Sequence, residues 1–174
     1  MSDKGAIVQL SVSPGGLPKQ AVPEARVTRL GLEGDAHREL QHHGGPERAV
    51  CLFPLEAIHG LVAEGHTVTP GALGENVTTE SLDWSAIGPG VHLLLGERVL
   101  LQVTTYTSPC FNLAPLFQGR NFSRVSQKRH PGWSRVYARV LLEGRVRPGD
   151  PIRVVSELEA GEVRRTLRGF AASS

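Results

Sequence analysis

"VHLLLGERVLLQVTTY", residues 91 to 106, carries two apolar runs on either side of Gly96-Glu97, the pattern of a tight β-hairpin. Its neighbours in the chain read the same way. "AIVQLSVS" (6 to 13) alternates and is closed by "PGG", which predicts a strand and a turn. "ARVTRLG" and "ERAVCLF" predict two more strands, with the long loop "LEGDAHRELQHHGGP" between them. "SRVYARVLLEGRVRPGDPIRVV" predicts a strand, a turn at Pro148-Gly149-Asp150 and another short strand. Only "PLEAIHGLVAEGH" (54 to 66) has helical spacing, with Leu55, Ile58, Leu61 and Val62 behind an opening Pro54. The expected fold class is therefore mostly β with one or two helices, a barrel or sandwich closed on itself. No internal repeat and no linker interrupts it.

Composition sets the bounds. A chain of 174 residues is long enough for one domain with a proper core, and 20 Gly and 12 Pro predict many turns between short elements. Hydrophobic residues at 40% make it too apolar for a disordered chain, and a net charge of +2 excludes a polycation. No apolar stretch approaches the roughly 20 residues that cross a bilayer, and no basic leader precedes an apolar h-region. A cytoplasmic protein without a membrane partner is expected. Two cysteines, Cys51 and Cys110, make no disulfide framework, and a reducing compartment would keep both as thiols.

Three stretches could carry chemistry. Cys110 follows a Ser-Pro break at the exit of the strand that ends the hairpin, where Pro109 removes a backbone donor and Asn112 is polar. A thiol there suits a nucleophile or soft-metal ligand better than a core position does, whereas Cys51 within "AVCLF" reads as a small buried hydrophobe. The second stretch is "GDAHRELQHHGG" (34 to 45), with Asp35, His37, His42 and His43 inside nine positions. Imidazole with carboxylate could hold zinc or iron, but the spacing matches no standard structural-zinc pattern. A glycine-shaped loop with histidines lining a pocket is at least as good a reading. The third is 119 to 139, with Arg120, Arg124, Lys128, Arg129, Arg135, Arg139 and His130 and no acid. Such a run grips a phosphate-sized anion through arginine, or is simply a solvated face. Because the run is short and the net charge low, a nucleic-acid partner is not expected.

Read together, "GLEGDAHRELQHHGGPERAVCLFPLE", "PGALGENVTTESLDW", "TSPCFN" and "RVSQKRHPGWSRVYARVLLEGRVRPGDPI" resemble the MOSC domain, named after the C-terminal domain of molybdenum cofactor sulfurases. The resemblance runs in order from about Ile7 to Val155 and is closest to the stand-alone bacterial type. It implies a β-barrel with a few peripheral helices, one domain with a core at about 7 to 155, and a tail, 156 to 174, that we leave unassigned. It implies that Cys110 is either a thiolate ligand to the molybdenum of a pterin cofactor (molybdopterin) or the carrier of a persulfide. It makes Asp35, His37, His42, His43, Gly44 and Gly45 a wall of the cofactor pocket and puts the "GEN" turn of Gly74, Glu75 and Asn76 nearby. Arg124, Lys128, Arg129, His130 and Arg135 match the basic segment expected to hold the pterin phosphate. Pyridoxal phosphate binding belongs to the same set of expectations. One departure is Ala36, at a position often basic in related proteins; another is the lack of the additional N-terminal barrel of larger members.

The expected activity is that of an oxidoreductase reducing small N-hydroxylated substrates. Electrons would come from a separate donor protein, since no flavin, haem or iron–sulfur ligand set is visible. The alternative is a sulfur carrier loaded by a cysteine desulfurase.

Overall fold

A computed structural model of the chain describes residues 2–36 and 44–172. Its strands are β1 (Lys4–Val12), β2 (Gln20–Val22), β3 (Ala25–Thr28), β4 (Gly31–Leu32), β5 (Val50–Pro54), β6 (Val77–Glu80), β7 (His92–Leu95), β8 (Val99–Tyr106), β9 (Val136–Leu142), β10 (Gly144–Val146) and β11 (Pro151–Val155). Its α-helices are α1 (Leu55–Ala63) and α2 (Glu157–Ala172).

The hairpin expected over 91 to 106 is formed by β7 and β8, which pair from His92↔Gln102 to Leu95↔Val99 around Gly96 at φ 60. From it the sheet grows through β9, β5, β6 and β1. β5 and β6 are the parallel neighbours in this series, which is why α1 and a long connection lie between them. β1 then closes the barrel of seven strands: its start, Lys4 to Ala6, pairs with β11, which pairs with β7. Register shifts in β1 against β6 and in β8 against β9 bend the strands as closure requires. Of the two closed forms left open by the sequence, the barrel is the one adopted. A separate small sheet, β10-β3-β4, packs beside it.

Inside the barrel, Ile7, Leu10, Leu52, Leu93, Leu95, Leu101, Val136 and Ile152 share one apolar cluster. The outer face is buried as well on one side. Phe53 of β5, Ile58 and Leu61 of α1, and Leu113, Phe117 and Val125 form a second cluster. All five residues of β5 are therefore buried, which explains the unbroken apolar run "AVCLF". The unassigned tail forms a 16-residue helix, α2. Its apolar stripe is thin: Ala160 and Val163 meet Leu94, Leu100 and Val155 on the barrel. No helix among the described residues is long and apolar enough to cross a membrane.

Leu101 lies in the interior with no exposure. Leu101→Ala should lower the unfolding free energy by about 2–5 kcal/mol, read as a fall in the urea midpoint with an unchanged slope.

Candidate functional site

β8 ends at Tyr106, and the chain is held at once to the residue that precedes β9 by the Thr107 amide, which donates to the Arg135 carbonyl at 3.0 Å. Ser108-Pro109 then turns it off the barrel, and Cys110 stands in extended conformation before a 3-10 run, Phe111–Leu116. The Cys110 carbonyl accepts from Leu113 N at 3.0 Å, so the thiol sits at a fixed corner and is half-buried. It opens into a cavity of about 530 Å³ on the outer wall of the barrel. Cys51 and Tyr137, cross-strand partners on β5 and β9, form the floor. Leu73, Gly74, Asn76 and Lys19 form the opposite wall, with Leu17 at the lip.

That opposite wall is built around one carboxylate. Asp35 has no side-chain exposure; it accepts from Lys19 Nζ at 2.7 and 2.6 Å, from Ser13 N at 2.9 Å and from Asn76 Nδ2 at 2.8 Å. Asn76 in turn accepts from Cys51 N at 3.0 Å through Oδ1 and donates to the Ser11 carbonyl at 3.2 Å. One side chain thus ties β1, β5 and the Asp35 loop together. The residues before it have separate tasks. Gly74 turns the chain at φ 91, where a Cβ would stand 3.0 Å from Leu17. Glu75 is buried, accepts from Gly71 N at 2.6 Å through Oε1, and leaves Oε2 without a partner among the described residues. Burial pushes its carboxyl above the usual carboxylate range, and the Gly71 amide and Arg135 only partly offset that.

Arg135 is the second cation of the cavity, beside the Asp35-paired Lys19. It is 7% exposed, donates through Nη1 to the Leu73 carbonyl, and keeps Nε without a partner among the described residues. The two thiols facing the same space differ in kind. Burial pushes Cys51 up to about 11, so it remains a neutral thiol at physiological pH, while Cys110 has solvent access. Burial likewise pushes the Tyr137 phenol up to about 12. Among the described residues no group of three His, Cys, Asp or Glu could hold a metal ion by itself.

The structure therefore brings Cys110, Asn76 and Arg135 to one cavity, with Asp35 directly behind its wall. Ala36 lines the same cavity, so the departure from a basic residue falls on the wall itself. His37, His42 and His43 lie outside the described residues. Gly44 is buried, and Gly45, at φ 86, starts the 3-10 turn Pro46–Arg48; neither lines the cavity. The basic segment does not act as a unit. Arg124 makes a bidentate pair with Glu64, at 2.9 and 2.6 Å, and stacks 3.9 Å over the Trp133 ring. Lys128 lines a separate depression beyond Ser108-Pro109, Arg129 is exposed, and His130 is held by its amide to Ser126 O; none of the three reaches the cavity. The cavity roles of Cys51, Tyr137 and Lys19 escaped the sequence reading. Cys51 is buried as expected yet faces the site, Tyr137 is hidden in a strand pattern, and Lys19 follows a turn with no motif of its own.

A seven-stranded barrel with an outer-wall cavity and a cysteine at a strand exit defines the class of the protein, and comparison with known proteins identifies it. The MOSC domain model matches residues 39–153. YflK of Bacillus subtilis is 33% identical over 153 residues, covering 86% of this chain and 67% of that protein. YiiM of Escherichia coli is 33% identical over 153 residues, covering 83% of this chain and 66% of that protein. A protein named reductase from Gibberella moniliformis is 32% identical over 130 residues, 72% of this chain but 22% of that protein. The crystal structure of E. coli YiiM superposes with a TM-score of 0.67 at 28% identity over 88% of this chain and 70% of that one. Bacillus subtilis YuaD, at a TM-score of 0.71 and 17% identity over 87% of this chain and 95% of that one, shares the fold. The chain belongs to the MOSC domain family, which is associated with molybdenum-cofactor-related function. It spans about two thirds of the length of YflK and YiiM.

Two outcomes are expected. Because a pKa of about 11 leaves roughly one Cys51 thiol in a thousand ionised at pH 8, iodoacetamide should modify Cys110 first, as peptide mass spectrometry would show. Glu75 binds its proton more tightly folded than unfolded. Its contribution to stability is thus full below the unfolded carboxyl pKa and lost as pH rises through the raised folded value. Urea melts from pH 4 to 8 should show Glu75→Gln with a flatter pH dependence than the wild type.

Proposed function

We propose that this protein binds the molybdenum cofactor and reduces small N-hydroxylated compounds. The observation that carries this reading is the pairing of the half-buried Cys110 thiol with the Arg135 guanidinium on one cavity of about 530 Å³. The residues fit the group. A soft sulfur ligand stands at a fixed corner, and the buried Arg135 Nε, without a partner among the described residues, is a donor open to an anionic oxygen. The volume lies in the range that holds a ligand of this size. Lys19 adds little net charge, because Asp35 neutralises it, so Arg135 is the group that would draw the anion.

When bound, the cofactor supplies two-electron redox chemistry at a metal ligated by sulfur. The balanced reaction is R–NHOH with two electrons and two protons giving R–NH2 and water. Cys110 would ligate the metal, and Arg135 would hold an anionic oxygen of the cofactor. Tyr137, whose phenol burial pushes up to about 12, lines the same cavity and would be available there as a proton donor. Electrons come from a separate protein, and a reducing cytoplasm would keep both cysteines as thiols.

The same exposure of Cys110 favours one second reading, a persulfide accepted from a cysteine desulfurase and passed to a cofactor under assembly. Pyridoxal phosphate fits less well: the lysine of the cavity, Lys19, is held 2.6 Å from Asp35 and would have to give up that buried pair to form a Schiff base.

Molybdenum and pterin should be measured in protein from a molybdate-supplied host, for the wild type, Cys110→Ala and Arg135→Gln. Near-stoichiometric metal in the wild type, lost in Cys110→Ala, is the expected result. No metal in any of them, in a host that loads a control molybdoenzyme, sinks the reductase reading. A one-sulfur mass increase on Cys110 after incubation with desulfurase and cysteine would then replace it.

A further inference from the structure

The charges of this chain are unevenly placed. Seven of its 19 Lys and Arg and none of its 17 Asp and Glu fall between residues 98 and 142, which leaves 12 cations against 17 acids elsewhere. Three of the seven are engaged within the fold: Arg124 pairs with Glu64, Arg139 pairs with Glu47 at 3.4 Å, and Arg135 faces the cavity with one donor on the Leu73 carbonyl. Three others, Arg120, Lys128 and Arg129, have no acid within ion-pairing distance among the described residues, and all are exposed.

These cations do not lie at random. Arg120 holds its guanidinium 5.0 Å over the ring of Phe111, the residue next to Cys110. Its backbone takes φ 58, directly after Gly119 at φ 62, a left-handed conformation that non-glycine residues adopt only at a cost. Phe111 is 66% exposed and meets Phe122 edge-on at 6.3 Å. Phe122 shares with Lys128 a shallow depression of about 520 Å³ whose other walls include Ser108 and Pro109. Arg120, Phe111, Phe122 and Lys128 thus form one continuous surface around the Pro109-Cys110 corner. An exposed aromatic anchor flanked by two cations, Arg120 and Lys128, is the composition of a protein-docking face.

We propose that this surface docks an acidic electron-carrier protein, bringing its redox centre to the outer side of the Cys110 corner. Charge complementarity selects the partner: Arg120 and Lys128 have no acid within ion-pairing distance among the described residues, and the chain outside 98 to 142 carries an excess of acids, so an acidic carrier is both drawn to these cations and oriented by them. The proposal rests on the reductase reading, because only that reaction requires a carrier. It assigns Lys128 and Arg129 to the partner rather than to the cofactor.

The test uses the cofactor-loaded protein, benzamidoxime as substrate, and two donors: a reduced plant-type ferredoxin, which is acidic, and dithionite-reduced methyl viologen, which needs no docking. Arg120→Glu should raise KM for ferredoxin by about tenfold and abolish most of its salt dependence, while turnover with methyl viologen stays within about twofold. Equal losses with both donors would overturn the proposal, since Arg120 would then support the site itself. If neither donor drives turnover in the wild type, the reductase reading fails, and direct binding decides the docking face. Oxidised ferredoxin titrated calorimetrically at low and high salt, against the wild type and Arg120→Glu/Lys128→Gln/Arg129→Gln, should bind the wild type alone and only at low salt. No binding, or binding unaffected by the triple change, overturns the docking face. Tighter binding of a single-stranded oligonucleotide than of ferredoxin would also overturn it, in favour of a nucleic-acid surface.

Discussion

Asp35 carries a charge into a place with no solvent, and the cavity wall is organised around satisfying it. An isolated buried carboxylate costs several kcal/mol, so it persists only where donors surround it. Lys19, the Ser13 amide and Asn76 supply them. The same Asn76 that serves Asp35 also closes hydrogen bonds to the backbones of Cys51 and Ser11. Loss of any member leaves a neighbour unsatisfied. A network of this kind specifies one arrangement of β1, β5 and the Gly71 to Asn76 turn, and with it the position of the wall that faces Cys110.

The barrel gives that wall something rigid to stand on. β5 is buried on both faces, with Val50 and Leu52 in the interior cluster, Phe53 in the outer cluster and Cys51 on the cavity. A cavity on the outer face of such a strand borrows the stiffness of the core without breaking into it. It also sets the character of the two thiols. Cys51 lies on the strand and is pushed up by burial, whereas Cys110 stands on the loop that leaves the barrel and meets solvent. Two residues of the same type, facing one space, are made unlike by their distance from the strand ladder.

The acid-free stretch divides its labour by local partners rather than by sequence. Arg124 clamps the basic segment to the end of α1 through Glu64 and Trp133, Arg135 lines the cavity, and Arg120, Lys128 and Arg129 face outward. A guanidinium is delocalised and stacks as readily as it pairs, so the same residue type serves as clamp, anion donor and surface charge.

Local rules, read from the chain alone, determined the elements whose signals are local. The β7-β8 hairpin follows from apolar runs around Gly96, α1 from helical spacing behind Pro54, and the turn before β11 from Pro148-Gly149-Asp150. The exposed corner at Cys110 was legible for the same reason, because proline and a polar neighbour act within a few bonds. The tail was not, since α2 has a sparse apolar stripe and gains its place from packing on Leu94 and Leu100. Nor was the part of Cys51, Tyr137 and Lys19 in the cavity, nor the dispersal of the basic segment. Those depend on which side of a strand faces a neighbour and which acid lies within reach. Closure of the barrel, through residues about 150 positions apart in β1 and β11, settles both.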